Sequence, residues 1–102
     1  MTAARISVPV RLPGALRDLA GAGPVVRIDV PAGATVGDLL DALGRDLPAL
    51  ERRVRDESGA LRPHVNVFVG TSNVRDLALL ATPLIPGTEV YILPSVSGGG
   101  ID

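Results

Sequence analysis

The chain predicts an α+β domain, a mixed or antiparallel sheet of four to five strands with one main helix packed on one face. Three observations carry this reading. Short β-prone runs near residues 5–12, 25–30, 65–69 and 89–93 alternate side chains between two faces, as half-buried strands do. One stretch, residues 36–43, instead repeats its apolar residues at helical spacing. The resulting order is strand, strand, helix, strand, short strand, strand, with no repeat and no second domain in 102 residues. A chain of that length suits one modest core.

In the first strand Ile6, Val8, Val10 and Leu12 share one face and Arg5, Ser7, Pro9 and Arg11 the other. Pro9 has no N–H, so either its donor side faces solvent or pairing stops there. Pro13-Gly14 and Gly21, Gly23 and Pro24 break the chain around a loose, Leu-bearing connection. The second strand places Val26, Ile28 and Val30 inward and Arg27 and Asp29 outward. Thr35 followed by Asp38 forms a capping-box pair ahead of Val36, Leu39, Leu40 and Leu43, and Gly44 suits the position just past the helix end. Residues 45–62 hold a dense run of charge, nine of the 21 charged residues, around a sparse stripe of Leu47, Leu50 and Val54, which predicts a short solvated helical piece over 48–55. Val65, Val67 and Val69 form one face of the next strand, and Asn66 and Phe68 the other. Turn residues 70–73 lead to a short return beginning at Val74. Residues 77–84 are apolar but contain Pro83, so they form either a brief helical turn or a buried irregular stretch. Pro86-Gly87 turns the chain into the last strand, Glu89 to Leu93, which Pro94 stops. Residues 1–94 are the folded domain, and residues 95–102, without core-forming residues, are a flexible Gly-rich tail.

Composition removes most chemistry. Ten basic residues, all arginine, against eleven acidic ones leave a net charge of -1, and Phe68 and Tyr91 are the only aromatic residues. No basic stripe with stacking rings marks a nucleic-acid partner. No run is long enough to span a bilayer and no secretory signal opens the chain, so a cytoplasmic protein is expected. The absence of cysteine excludes a thiolate nucleophile or a persulfide of its own, and the absence of lysine excludes a Schiff base. His64 is the single histidine, and such a residue is ordinarily structural or on the surface. Asp38 and Asp41, one helical turn apart, read as a solvated face with Asp38 as cap rather than as a cation site. No serine stands in a nucleophile pattern. The residues support no enzyme and no metal site.

The one unusual local feature is the run Gly98-Gly99-Gly100. It precedes no helix, so it is no phosphate-binding loop. Its plain reading is a floppy terminus. Its functional reading is steric, because residues without Cβ make the narrowest polypeptide, able to thread a channel closed to any side chain. Six extended residues from Pro94 to Gly99 span about 20 Å.

Several motifs together resemble the ubiquitin-like β-grasp sulfur carriers of the MoaD/ThiS family. These are Val65-Asn66-Val67-Phe68-Val69 before a turn, Pro86-Gly87-Thr88-Glu89-Val90 entering the last strand, and Leu93-Pro94-Ser95-Val96-Ser97-Gly98-Gly99 after it. Nearly the whole chain is covered, and the bacterial carriers of cysteine synthesis are the most similar. The resemblance implies that the chain is a substrate rather than an enzyme. It binds no cofactor itself, and an E1-like adenylating and sulfurtransferase partner spends ATP on the C-terminal glycine carboxylate. Sulfur then replaces AMP, and the thiocarboxylate serves a sulfur-accepting biosynthetic enzyme. On this pattern Gly99, or Gly100, is the residue adenylated, and Ser97, Gly98, Gly99 and Gly100 thread the partner's channel. The family's mature carriers end in Gly-Gly, whereas this chain continues through Gly100-Ile101-Asp102. The implied form is therefore a proform from which a processing metalloprotease removes Gly100, Ile101 and Asp102. Two alternatives share the fold: the small subunit of molybdopterin synthase, and a ubiquitin-like protein modifier or non-catalytic interaction module.

Overall fold

The computed structural model describes residues 4–21 and 23–94. Strands β1 (Arg5–Arg11), β2 (Val25–Pro31), β3 (Val65–Val69), β4 (Ser72–Asn73) and β5 (Val90–Pro94) form one sheet in the order β2-β1-β5-β3-β4. Helices α1 (Gly14–Ala20), α2 (Val36–Asp46) and α3 (Pro48–Val54) connect them. The pairing of β1 with β5 is parallel and every other pairing is antiparallel, which makes the sheet mixed. This is the β-grasp architecture, with the first and last strands side by side in the middle of the sheet.

The alternation in the sequence sorts the two faces as expected. Val8, Val10, Ile28, Val30, Val65, Val67, Val69, Val90 and Ile92 are buried on one face. Against them lie Val36, Leu39, Leu40 and Leu43 of α2 and Leu50 and Val54 of α3. Each such side chain removed from water contributes about 1.5–3 kcal/mol before the entropy of ordering the chain is counted. The capping box is complete. The Asp38 N–H donates to Thr35 Oγ1 at 3.3 Å, and the Thr35 N–H to Asp38 Oδ2 at 2.9 Å.

Pro9 is accommodated by register. The Leu12 N–H donates to the Pro24 carbonyl, so alternate residues of β1 direct their donors toward β2 and Pro9 presents its missing donor toward β5. There the ladder comprises only Val10 and Arg11. The structure thus selects the interrupted-pairing alternative.

Four expectations change. Residues 14–20 are helical rather than a loose connection. Pro13 is the extended residue before the helix, Gly21 closes it at φ 61 with its N–H on the Arg17 carbonyl, and Leu16 anchors it in the core. The breakers here punctuate a helix instead of excluding one. Gly44 does not end α2, which continues to Asp46. A Cβ at Gly44 would stand 3.2 Å from Glu51 Cγ, so the glycine permits close approach of α3. The piece over 48–55 is α3, as the sparse stripe predicts, but Leu50 and Val54 are fully buried. Finally, the short return consists of Ser72–Asn73, and Val74 opens a 3-10 turn, Val74–Asp76, with a second at Leu79–Ala81. The apolar stretch around them combines both alternatives, since Leu77, Leu79 and Ile85 are about half exposed whereas Thr82 and Leu84 are buried. A link this short cannot turn all its apolar residues toward the core. The expected tail, residues 95–102, lies outside the described residues.

Candidate functional site

The residues proposed to carry the chemistry, Ser97, Gly98, Gly99 and Gly100, and those proposed to be removed, Gly100, Ile101 and Asp102, all lie outside the described residues. What the structure describes is the platform from which they extend. Strand β5 ends at Pro94, whose ladder partner is Val65. The last strand therefore delivers the chain to one end of the sheet, next to His64 and the segment that precedes β3.

The sheet face turned away from the helices carries a polar constellation built across three strands. Tyr91 of β5 pairs with Phe68 of β3 on one side and Arg11 of β1 on the other. Arg11 Nε donates to Glu89 Oε1 at 2.9 Å, and the Tyr91 hydroxyl donates to the same oxygen at 2.8 Å. The Arg11 guanidinium stands 6.0 Å from the centre of the Tyr91 ring. These contacts hold the Glu89 carboxyl below the usual glutamate range, the hydrogen bond from Arg11 contributing most and that from Tyr91 next. The same carboxylate raises the Tyr91 hydroxyl above its ordinary value, because it accepts the phenolic proton. Phe68 is half-buried on this open face rather than in the core, and Leu93 is exposed on the same face. Arg11 and Glu89 are 78 residues apart in sequence. Arg11 ends β1 and Glu89 immediately precedes β5, and no local spacing in the sequence links the two.

The other sequence candidates resolve into structural roles. Asp38 is the helix cap, and Asp41 Oδ1 accepts a 2.9 Å hydrogen bond from Arg55, which also pairs with Glu51. Among the described residues no group of three His, Cys, Asp or Glu side chains is placed to hold a metal ion. His64 is exposed and shares a surface depression with Arg52, Arg53 and Arg62, with no carboxylate to orient it as a base. No helix among the described residues is long and apolar enough to cross a membrane.

A profile of the ThiS family matches residues 10–99, from β1 through the Gly98-Gly99 pair. The chain belongs to the ThiS family. Small archaeal modifier protein 1 of Haloferax volcanii is 43% identical over 84 residues, covering 82% of this chain and 91% of that protein. The sulfur carrier protein CysO of Mycobacterium tuberculosis is 33% identical over 96 residues, covering 92% of this chain and all of the carrier. Among solved structures, a carrier chain in the BexX/CysO complex of Amycolatopsis orientalis superposes with a TM-score of 0.78 at 30% identity. That match covers 90% of this chain and 99% of the other. As a ThiS-family member the protein is a ubiquitin-like sulfur carrier, and its relatives are small carriers and modifiers.

Proposed function

We propose that the protein carries sulfur on its C-terminal glycine for the biosynthesis of cysteine or another sulfur-containing metabolite. The observation that supports this best is that the family match continues beyond the last described strand and ends at Gly99. A free α-carboxylate, with an ordinary pKa of about 3.5, is an anion at neutral pH and a poor electrophile. An adenylating partner transfers AMP from ATP to this carboxylate and releases pyrophosphate. A hydrosulfide equivalent then attacks the acyl carbon, the acyl–oxygen bond to AMP breaks, and a proton is lost. The products are a glycyl thiocarboxylate and AMP. A biosynthetic enzyme takes the sulfur from that thiocarboxylate. The chain needs neither cysteine nor bound cofactor for any of these steps, and the cytoplasm, where ATP and reduced sulfur meet, is where it works.

Ile101 is β-branched and Asp102 brings a carboxylate, so neither fits a glycine-width channel. The chain is accordingly a proform in which Gly99 is the working terminus and a metal-dependent protease removes Gly100, Ile101 and Asp102. The test uses the full chain and a chain ending at Gly99, each with ATP, sulfide and the pyrophosphate-exchanging fraction of the source cells. The shorter chain is expected to release pyrophosphate and to exchange one oxygen for sulfur by intact mass, while the full chain remains unchanged. A full chain that forms thiocarboxylate without trimming refutes the proform, and a shorter chain that releases no pyrophosphate refutes the carrier role.

The identity shared with an archaeal modifier supports a second use of the same activated end, attachment to lysines of other proteins. Conjugates would appear as target masses increased by the trimmed chain. Having no lysine, the protein would be added singly and would not form lysine-linked chains.

A further inference from the structure

The end of the sheet from which the tail departs is strongly basic. A depression of about 370 Å³ beside His64 is lined by Arg52, Arg53, Arg62 and His64. Arg52 and Arg53 occupy the last turn of α3 and are exposed. Arg62 Nε donates to the Arg52 carbonyl at 2.8 Å, while Arg75 donates to the Arg62 and Val65 carbonyls, both at 2.7 Å. Arg62 and Arg75 are thus oriented by backbone oxygens, which direct the side chains without neutralising them. Among the described residues, no carboxylate lies within ion-pair distance of Arg52, Arg53, Arg62 or Arg75, whereas Arg11 and Arg55 are both paired. Arg52 and Arg62 also line the neighbouring depression, which holds Glu51, Asp56 and Glu57, and the hydrogen bond from the Ser58 hydroxyl, helped by the charge of Arg62, holds the Asp56 carboxyl below its ordinary range. The Asp56 carboxylate there accepts from the Ser58 hydroxyl and from two backbone N–H groups.

A helix C-terminus attracts cations, so one arginine at the end of α3 is ordinary. Two, with a third already on a terminal carbonyl, exceed that need. The chain has a net charge of only -1, yet the depression beside the end of β5 is lined by three arginines and a histidine with no carboxylate among its lining residues. Positive charge is therefore concentrated in that depression. Residues 94–99 reach at most about 20 Å even when fully extended. A partner that engages Gly99 therefore comes within about 20 Å of Val65, the ladder partner of Pro94.

We propose that Arg52, Arg53, Arg62 and Arg75, with His64, form a docking rim for an acidic surface around the mouth of the adenylating partner's channel. The inference rests on the carrier reading above. Complementary charge of this kind steers encounter and sets register, and its contribution weakens with salt.

The test measures ATP–pyrophosphate exchange with the chain ending at Gly99, at low and high salt, using the activating fraction of the source cells. Arg52→Gln with Arg53→Gln is expected to raise the KM for the carrier about tenfold at low salt, to leave kcat unchanged and to flatten the salt dependence. Arg52→Lys with Arg53→Lys keeps the charge and is expected to restore KM, and Arg27→Gln on the outer edge strand to leave it unaltered. Far-UV circular dichroism confirms that each variant is folded. A KM within about twofold of the unaltered chain at both salt concentrations overturns the rim alone. No exchange even with the unaltered chain overturns the carrier reading and the assignment of the rim with it. Binding of oligothymidylate that the double variant loses, with KM unchanged, assigns the cluster to nucleic acid and equally overturns the proposal.

Discussion

Tyr91 is the only tyrosine and tryptophan is absent, so the phenol can be titrated alone by ultraviolet absorbance. Its hydrogen bond to Glu89 places the midpoint above the ordinary 10.0. Glu89→Gln is expected to move the midpoint back toward that value, and an unchanged midpoint would mean that the contact does not persist in solution. The signs for stability follow. Because the Glu89 carboxyl is depressed on folding, its contribution is complete above the ordinary 4.5 and fades as pH falls through the lower folded value. The Tyr91 contribution is complete below 10.0 and fades as pH rises through the higher folded value. At the tail, Gly98→Val introduces a branched side chain where channel width matters. It should abolish thiocarboxylate formation while leaving the melting temperature unchanged; retained sulfur transfer would show that width is not the constraint.

At the scale of elements, the start of α2 is the most directly testable feature. Thr35→Ala removes the acceptor for the Asp38 N–H and should cost about 1 kcal/mol. In a domain of this size that lowers the melting temperature by about 4–8 °C. A thermal scan showing no change would mean that water or a neighbouring group replaces the cap. The same helix shows how local pattern and tertiary contact divide the work. Its start and its buried stripe follow from Thr35, Asp38 and the spacing of Val36, Leu39, Leu40 and Leu43. Its end does not, because Gly44 resembles a stop signal until the side chain of Glu51 is seen against it. Helix α1 was obscured for the opposite reason. Its flanking Pro13 and Gly21 are breakers by composition, but they become a start and a stop once Leu16 has a core to enter.

For the whole molecule, the buried apolar side chains among the described residues extend from Val8 to Ile92 and form one core. A chain ending at Pro94 should therefore unfold at the same temperature as the full chain while losing all pyrophosphate exchange. A lower melting temperature on truncation would show that the tail stabilises the body, contrary to the separation of handle and working end. The central position of β5 reinforces this arrangement. Held between β1 and β3 by ladders on both sides, it anchors the start of the tail to the most protected part of the sheet.

Strand alternation, the capping box, the glycine run and the missing cysteine and lysine are local properties, legible in the order of residues. They were enough for the fold class and the family resemblance. Only the folded chain could bring Arg11 to Glu89 and Tyr91, or gather Arg52, Arg53, Arg62 and Arg75 beside the end of β5. Those meetings depend on the parallel pairing of the first and last strands and on the packing of α3. Such contacts link residues far apart in sequence, and no local periodicity encodes which strand lies beside which.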